Sequence, residues 1–378
     1  MDNNPVFVTR PSLAPLDEYV ELLKGVWERG ILTHDGPLVQ QLEDELCKKL
    51  DIPGFMAVSN GTIALQAAIK GLALKGEVIT TPFTWIATIS AIKCEGCVPV
   101  FCDIDRGTLN IDPCKIEPLI NERTVAVMPV HVFGNPCDVG AIENIAKKHD
   151  LKVIYDGAHA MGSTFKGKSL LGYGDITATS LNATKLLNTA EGGGCIAKSP
   201  AIREKLKRIR YFGYNGYREI VEEGFNGKMS ELHAALGIVN LKYFDRVLAD
   251  RKIKYNLYRD ALSLISGIEF QAVKHGDQNY SCMPVVFESE EQLLKVEQAL
   301  HGQNIYPRRY FYPSLNTLTN ILEYRHCPVS EEVCKKVLCL PLYREISEEV
   351  IYRVVDCIRN SFAAKRKLDR NRKSSVSL

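Results

Sequence analysis

Four short stretches carry side chains suited to one kind of reaction. In Thr179-Ser180-Leu181-Asn182-Ala183-Thr184-Lys185, a lone lysine follows a predicted strand and precedes the turn Glu191-Gly192-Gly193-Gly194. Burial and nearby cations would lower the pKa of such a lysine, so that its free amine can form a Schiff base. Taken singly, most lysines are solvated surface charges. In Lys152-Val153-Ile154-Tyr155-Asp156-Gly157-Ala158-His159, Asp156 stands straight after an apolar strand. A carboxylate there can hold a protonated pyridine nitrogen and keep it charged, or it can cap the next turn. Ser59-Asn60-Gly61-Thr62 precedes an apolar helix. Free N–H groups and a hydroxyl at a helix start make an anion site, although ordinary N-capping by Ser59 or Asn60 accounts for the same residues. Trp85 closes Thr81-Pro82-Phe83-Thr84-Trp85, just past another strand. Its ring can stack on a planar group or pack between helix and sheet.

The elements that must position these stretches are read from apolar spacing. Leu16, Tyr19, Val20, Leu23, Val26 and Trp27 predict a helix over 16–29, and a second helix runs over 38–50. Gly61-Thr62 opens a third helix over 63–72. Strands then alternate with helices. The strands fall over 78–80, 98–103, 125–130, 152–155, 177–180 and 194–197. Helices fall over 85–94 and 139–149, with a short one within 111–120. This alternation predicts an α/β fold with a mostly parallel central sheet flanked by helices. Ligands in such folds sit outside the carboxyl ends of the strands, where Trp85, Asp156 and Lys185 fall. From Ser230 a proline-free helical stretch runs to about Leu264. A smaller α+β unit follows, with a strand over 282–287 and helices over 291–300 and 348–362. The expected division is a large domain over 1–240, a small C-terminal domain over 241–364 and a basic, disordered tail over 365–378.

Composition excludes several classes. The 47 Lys+Arg and 45 Asp+Glu nearly cancel, so charge points to neither nucleic acid nor a membrane surface. No apolar run reaches the ~18 residues of a membrane span. Met1-Asp2-Asn3-Asn4-Pro5 lacks the basic and apolar regions of a signal peptide, so a cytoplasmic location with reduced thiols is expected. The twelve cysteines fall far short of a disulfide scaffold. Cys94-Glu95-Gly96-Cys97 has no second pair at zinc-finger spacing. Core packing explains it better than a redox pair, and no metal site is expected.

One motif match competes with the others. Gly162-Ser163-Thr164-Phe165-Lys166-Gly167-Lys168-Ser169 fits the P-loop pattern and raises a nucleotide hydrolase as an alternative. A working P-loop joins a buried strand to a helix whose N-terminus holds the phosphates. Here Leu170-Leu171-Gly172-Tyr173-Gly174-Asp175 follows, which is turn-rich, and Phe165-Lys166-Gly167-Lys168 reads as a tight hairpin tip. The hydrolase is therefore a remote alternative.

Taken together, the residues resemble the DegT-like nucleotide-sugar aminotransferases, a fold-type I family dependent on pyridoxal 5′-phosphate. The resemblance runs from about Leu32 to about Tyr343. It rests on Thr33-His34-Asp35-Gly36-Pro37, Ser59–Leu65, Asp156–Ala160, Ser180–Gly193, Gly224–Ala235 and Leu340-Pro341-Leu342-Tyr343. Each block is short, but their number, order and spacing are specific. Lys228 stands where the family usually has arginine, and Leu181-Asn182 where it usually has a pair such as Phe-His. One branch replaces the covalent lysine by histidine and dehydrates sugars; Lys185 sets this chain apart from it.

The resemblance implies an aspartate aminotransferase-like fold and assigns roles. Lys185 matches the catalytic lysine that binds the cofactor covalently. Asp156 matches the carboxylate on the pyridine nitrogen, His159 the side chain near the phenolic oxygen, and Trp85 the aromatic on the ring. Gly61, Thr62 and Ser180 match phosphate contacts. Asn226 matches a phosphate ligand given by the other subunit, which implies a homodimer with shared sites. Thr33, Arg309 and Tyr310 are the implied substrate contacts, with Arg309 placed to pair with the diphosphate. The implied reaction takes an amino group from L-glutamate to a nucleotide-linked keto-sugar. Similarity around Gly76–Ile86 and Phe101–Asp112 favours C4 of dTDP-4-keto-6-deoxy-D-glucose. A C3-keto or a UDP- or GDP-linked sugar remains the alternative.

Overall fold

The computed structural model describes residues 4–216 and 219–375, with side chains to residue 362. Seven strands form the main sheet, in the order Met56–Val58, Gly193–Ala197, Ile176–Ser180, Lys152–Asp156, Thr124–Met128, Glu77–Thr80, Val98–Phe101. Gly193–Ala197 runs antiparallel to both neighbours, and the other pairs are parallel. The central strands are buried on both faces. Ile176–Ser180 has no exposed residue although Thr177, Thr179 and Ser180 are polar, and the two threonine hydroxyls are satisfied by the carbonyls of Tyr173 and Gly157.

The covering helices start on legible signals. Asn60 Oδ1 accepts the Ile63 amide, Asp138 Oδ1 the Ala141 amide and Ser230 Oγ the His233 amide. Helix Pro37–Leu50 is capped from a distance instead. The buried Glu231 carboxylate accepts the amides of Leu38 and Val39 at 3.1 and 2.9 Å. A Cβ on Gly36 would lie 2.6 Å from that carboxylate, so only glycine fits there.

Beyond the main sheet, Ile268–Phe270, Met283–Phe287 and Val337–Leu340 form a three-stranded antiparallel sheet. Helices Glu290–His301 and Glu348–Ser375 supply apolar side chains to its core. Phe244 and Val247 belong to the core of the main sheet, while Tyr255, Tyr258 and Leu262 of the same helix belong to the second core. The change of core thus falls within helix Phe244–Leu262, past residue 240. The chain start also joins the second unit, where Val6–Phe7 pairs with Ile305–Tyr306.

Other differences are local. The stretch read as one helix from Ser230 is two, Glu231–Lys242 and Phe244–Leu262. Asn240 turns its side chain inward to Asn188 O and Ala14 N, and Tyr243 N–H bonds to Asn240 O, which closes the first helix. The short helix within 111–120 is two 3-10 turns, Pro113–Lys115 and Glu117–Leu119, each holding a proline. Helix Pro200–Arg210 was legible from Ser199-Pro200 but was not predicted. The backbone expected to end as a helix near residue 362 stays helical to Ser375. The side chains of the expected tail lie outside the described residues. Thr164–Phe165 and Lys168–Ser169 form a hairpin, and a three-residue 3-10 turn follows, so the P-loop match lacks its helix. Among the described residues, no helix is long and apolar enough to cross a membrane.

Candidate active site

Parallel strands deliver their following residues to one edge of the sheet. There a cavity of about 390 Å³ opens, lined by Gly61, Thr62, Trp85, Asp156, His159, Ser180, Lys185 and Tyr310 among others. Eight of the sequence-predicted residues are therefore brought together.

Asp156 ends strand Lys152–Asp156 and is nearly fully buried. Its Oδ2 accepts the Thr88 hydroxyl at 2.8 Å and its Oδ1 the Ala158 amide at 3.1 Å. Thr88 in turn meets the Thr84 hydroxyl at 2.9 Å. Burial raises the Asp156 pKa, and the Ala158 amide, the Thr88 hydroxyl and the Lys185 charge pull it back. No cation pairs directly with this carboxylate among the described residues, and one such partner is what its environment asks for.

Lys185 is half-buried, and part of it faces the open cavity. Burial lowers its pKa, against the raising influence of Cys282 and Asp156. A larger share of it is thus neutral amine than for a solvated lysine. His159 is held well below its usual range by burial and then by Lys185, so its ring is neutral. The ring lies parallel to Phe311, with centroids 6.2 Å apart.

Asn60 satisfies Ile63 N–H through its side chain and Ala64 N–H through its carbonyl. That leaves the Gly61 and Thr62 amides, at the start of the helix, for the cavity. A Cβ on Gly61 would lie 2.9 Å from Ser180 Cβ, so glycine lets the serine hydroxyl close on the same helix start. Two amides, a hydroxyl and a helix N-terminus make a fit cradle for a phosphate.

Trp85 is half-exposed at the cavity mouth, edge-on to Tyr310 with centroids 6.4 Å apart. The Arg308 guanidinium lies 5.5 Å from the Trp85 ring and 4.9 Å from the Tyr310 ring. Arg309, expected to face the substrate, does not line the cavity. It pairs with Glu290 at 2.6 Å and lies over Tyr312. Arg308 bridges Cys339 in extended backbone, where adjacent side chains point to opposite sides, so Arg308 and not Arg309 lines this cavity. Thr33 and Asn226 do not line the cavity of their own chain. Thr33 Oγ1 meets His34 Nδ1 at 2.6 Å, and Asn226 Oδ1 accepts Lys228 Nζ at 2.6 Å.

Thr88 was missed by the sequence reading, although Thr84 and Thr88 at i, i+4 beside Trp85 were a usable signal. Nothing local marks Cys282, which lines the cavity near Lys185.

The sequence model of the DegT/DnrJ/EryC1/StrS aminotransferase family matches residues 16–359. A dTDP-4-amino-4,6-dideoxy-D-glucose transaminase from Shigella dysenteriae is 42% identical, covering 94% of this chain and 98% of its own. An Escherichia coli protein of the same name is 36% identical with the same coverage. The solved structure of DesI with its TDP-sugar product superposes with a TM-score of 0.92 at 29% identity, covering 98% of this chain and 96% of that one.

Proposed function

The chain belongs to the DegT/DnrJ/EryC1/StrS aminotransferase family, and on that premise we propose that it moves an amino group from L-glutamate to C4 of dTDP-4-keto-6-deoxy-D-glucose. It is a sugar aminotransferase, and it depends on pyridoxal 5′-phosphate as its family does. The observation that carries the reading is the convergence of Lys185, Asp156 and the Gly61–Thr62 helix start on one cavity. The 42% identity to a dTDP-sugar transaminase supports the substrate.

The residues present fit the cofactor. Gly61, Thr62 and Ser180 would hold its phosphate, Asp156 its ring nitrogen, and Lys185 would bind it covalently. Trp85 and His159 would flank the ring. When bound, the cofactor supplies an electron sink for the carbanion at the reacting carbon. Lys185 Nζ takes the proton from the α-carbon of the donor and later delivers one to C4 of the sugar. Burial suits it to this work, because it keeps the amine neutral near pH 7 more readily than in water. Asp156 holds the proton at the ring nitrogen. Arg308 meets the diphosphate at the cavity mouth, and Tyr310 lies beside it.

We further propose a homodimer with shared sites. Asn226 stands outside the cavity of its own chain, where its Oδ1 accepts Lys228 Nζ, and its side chain would serve the partner's cavity. Leu16, Trp27, Ile31 and Leu32 near the chain start expose apolar surface that a second copy would cover. The proposed compartment is the cytoplasm, where the twelve free thiols stay reduced.

The test is direct. Purified protein is given L-glutamate and, separately, dTDP-, UDP- and GDP-linked 4-keto-6-deoxy sugars and a dTDP-3-keto sugar. Mass spectrometry should find the dTDP-4-amino sugar as the preferred product. Preferred amination of a different nucleotide or of C3 would overturn the substrate assignment. No visible band bleached by glutamate would overturn the cofactor roles.

A further inference from the structure

A group of side chains on one wall of the cavity has no part in the chemistry above. Cys282 lines the cavity and stands one residue before strand Met283–Phe287. Cys339 lies opposite Pro284 on the paired strand, so the two cysteines share one face of the sheet. The Ser281 hydroxyl reaches Cys282 Sγ at 3.9 Å. Behind them Arg251 is 3% exposed. Its Nη atoms donate only to the carbonyls of Ser281 and Leu342, and its Nε has no partner. No carboxylate pairs with this guanidinium among the described residues. A buried cation without an anion is costly. A thiolate at Cys282 is the anion this wall can supply.

We propose that Cys282 is a thiol-modification site within the active cavity, where it takes up a small disulfide of the glutathione class and the adduct fills the space beside Lys185. The Cys282 sulfur attacks one sulfur of the disulfide. That S–S bond breaks, a mixed disulfide forms, and the other half leaves as a thiolate that takes a proton from water. Cys282 is oxidised and one equivalent of small thiol is released, so the exchange balances without a further oxidant. The local charges assist. The Cys339 S–H stabilises the Cys282 thiolate and lowers its pKa, burial opposes this, and Arg251, Lys185 and Ser281 add to the lowering. Cys339 is 1% exposed and does not line the cavity, so Cys282 is the sulfur of the pair that a ligand can reach. Cys94 and Cys114 are the exposed cysteines and form an internal reference.

The test treats the cofactor-loaded enzyme at pH 7 with oxidised glutathione and maps adducts by peptide mass spectrometry. Cys282 should be modified at least tenfold faster than Cys94 or Cys114, despite lesser exposure. The adduct should slow glutamate-driven bleaching of the visible band at least tenfold, with recovery on adding dithiothreitol. Cys282→Ser should bleach at the same rate before and after treatment. Adducts confined to Cys94 or Cys114, or equal sensitivity in Cys282→Ser, overturn the proposal. If that variant does not fold, the adduct map and the reversal in the unaltered enzyme decide alone.

Discussion

The Thr88 hydroxyl donates to Asp156 Oδ2 at 2.8 Å across the carboxyl edge of the sheet. A helix residue thereby steadies the charge of a strand residue that burial would otherwise neutralise. Thr88→Val removes the donor and keeps the shape. A hydrogen bond to a charged group contributes ~1.5–3 kcal/mol, so the Asp156 pKa should rise by about one to two units. The carboxylate is needed ionised, so the acidic limb of the pH–rate profile should move up by about that amount. An unmoved limb would separate Thr88 from the reaction.

Lys185 is proposed both to bind the cofactor and to carry the proton. Lys185→Ala should therefore lose turnover altogether, along with the visible band of the covalently bound cofactor. Lys185→Arg should do the same, because an arginine stays protonated and cannot serve as base. Retention of a band that survives denaturation in either variant would place the covalent bond elsewhere.

The phosphate cradle depends on a missing side chain. In Gly61→Ala the new Cβ meets Ser180 Cβ at 2.9 Å and its hydroxyl at 3.2 Å. Ser180 must move off the helix start. Cofactor affinity, measured by fluorescence titration, should fall about tenfold, which corresponds to ~1.4 kcal/mol.

Adjacent arginines should behave differently. Arg308→Met should raise KM for the nucleotide sugar about tenfold and leave glutamate-driven bleaching unchanged, as expected for loss of one charge-assisted contact. Arg309→Met breaks the pair with Glu290. It should lower stability by about 1 kcal/mol and leave KM alone. The reverse pattern would restore Arg309 as the substrate contact.

His131 should govern part of the acid sensitivity. It is fully buried, accepts the Cys137 amide at 3.1 Å and stacks on Tyr155. Burial lowers its pKa to about 3 from 6.5. The unfolded chain therefore binds a proton that the native one refuses, and stability falls as pH drops from 6.5 toward 3. At pH 5 this amounts to about 2 kcal/mol. His131→Leu should show a loss of stability between pH 7 and 5 that is smaller by that amount in urea titrations.

Much of this molecule was legible from local chemistry. Short runs of apolar and β-branched residues marked the strands that lead to Asp156 and Lys185, because side chains buried on both faces of a parallel sheet are mostly of these types. Caps and turns were legible too, as with Asn60 and the Lys166-Gly167 hairpin, because their bonds close within a few residues. Pairings across long separations were not. Glu231 caps a helix almost two hundred positions earlier, and Val6 pairs with Ile305. The period of two assigns Arg308 and Arg309 to opposite sides, but only the packed strand Val337–Leu340 decides which side is the cavity. The lowered pKa of the Cys282 thiol is the clearest case. It depends on Cys339, Arg251 and Lys185, remote in sequence, and their influence acts through a low-dielectric interior that exists only once the chain has folded.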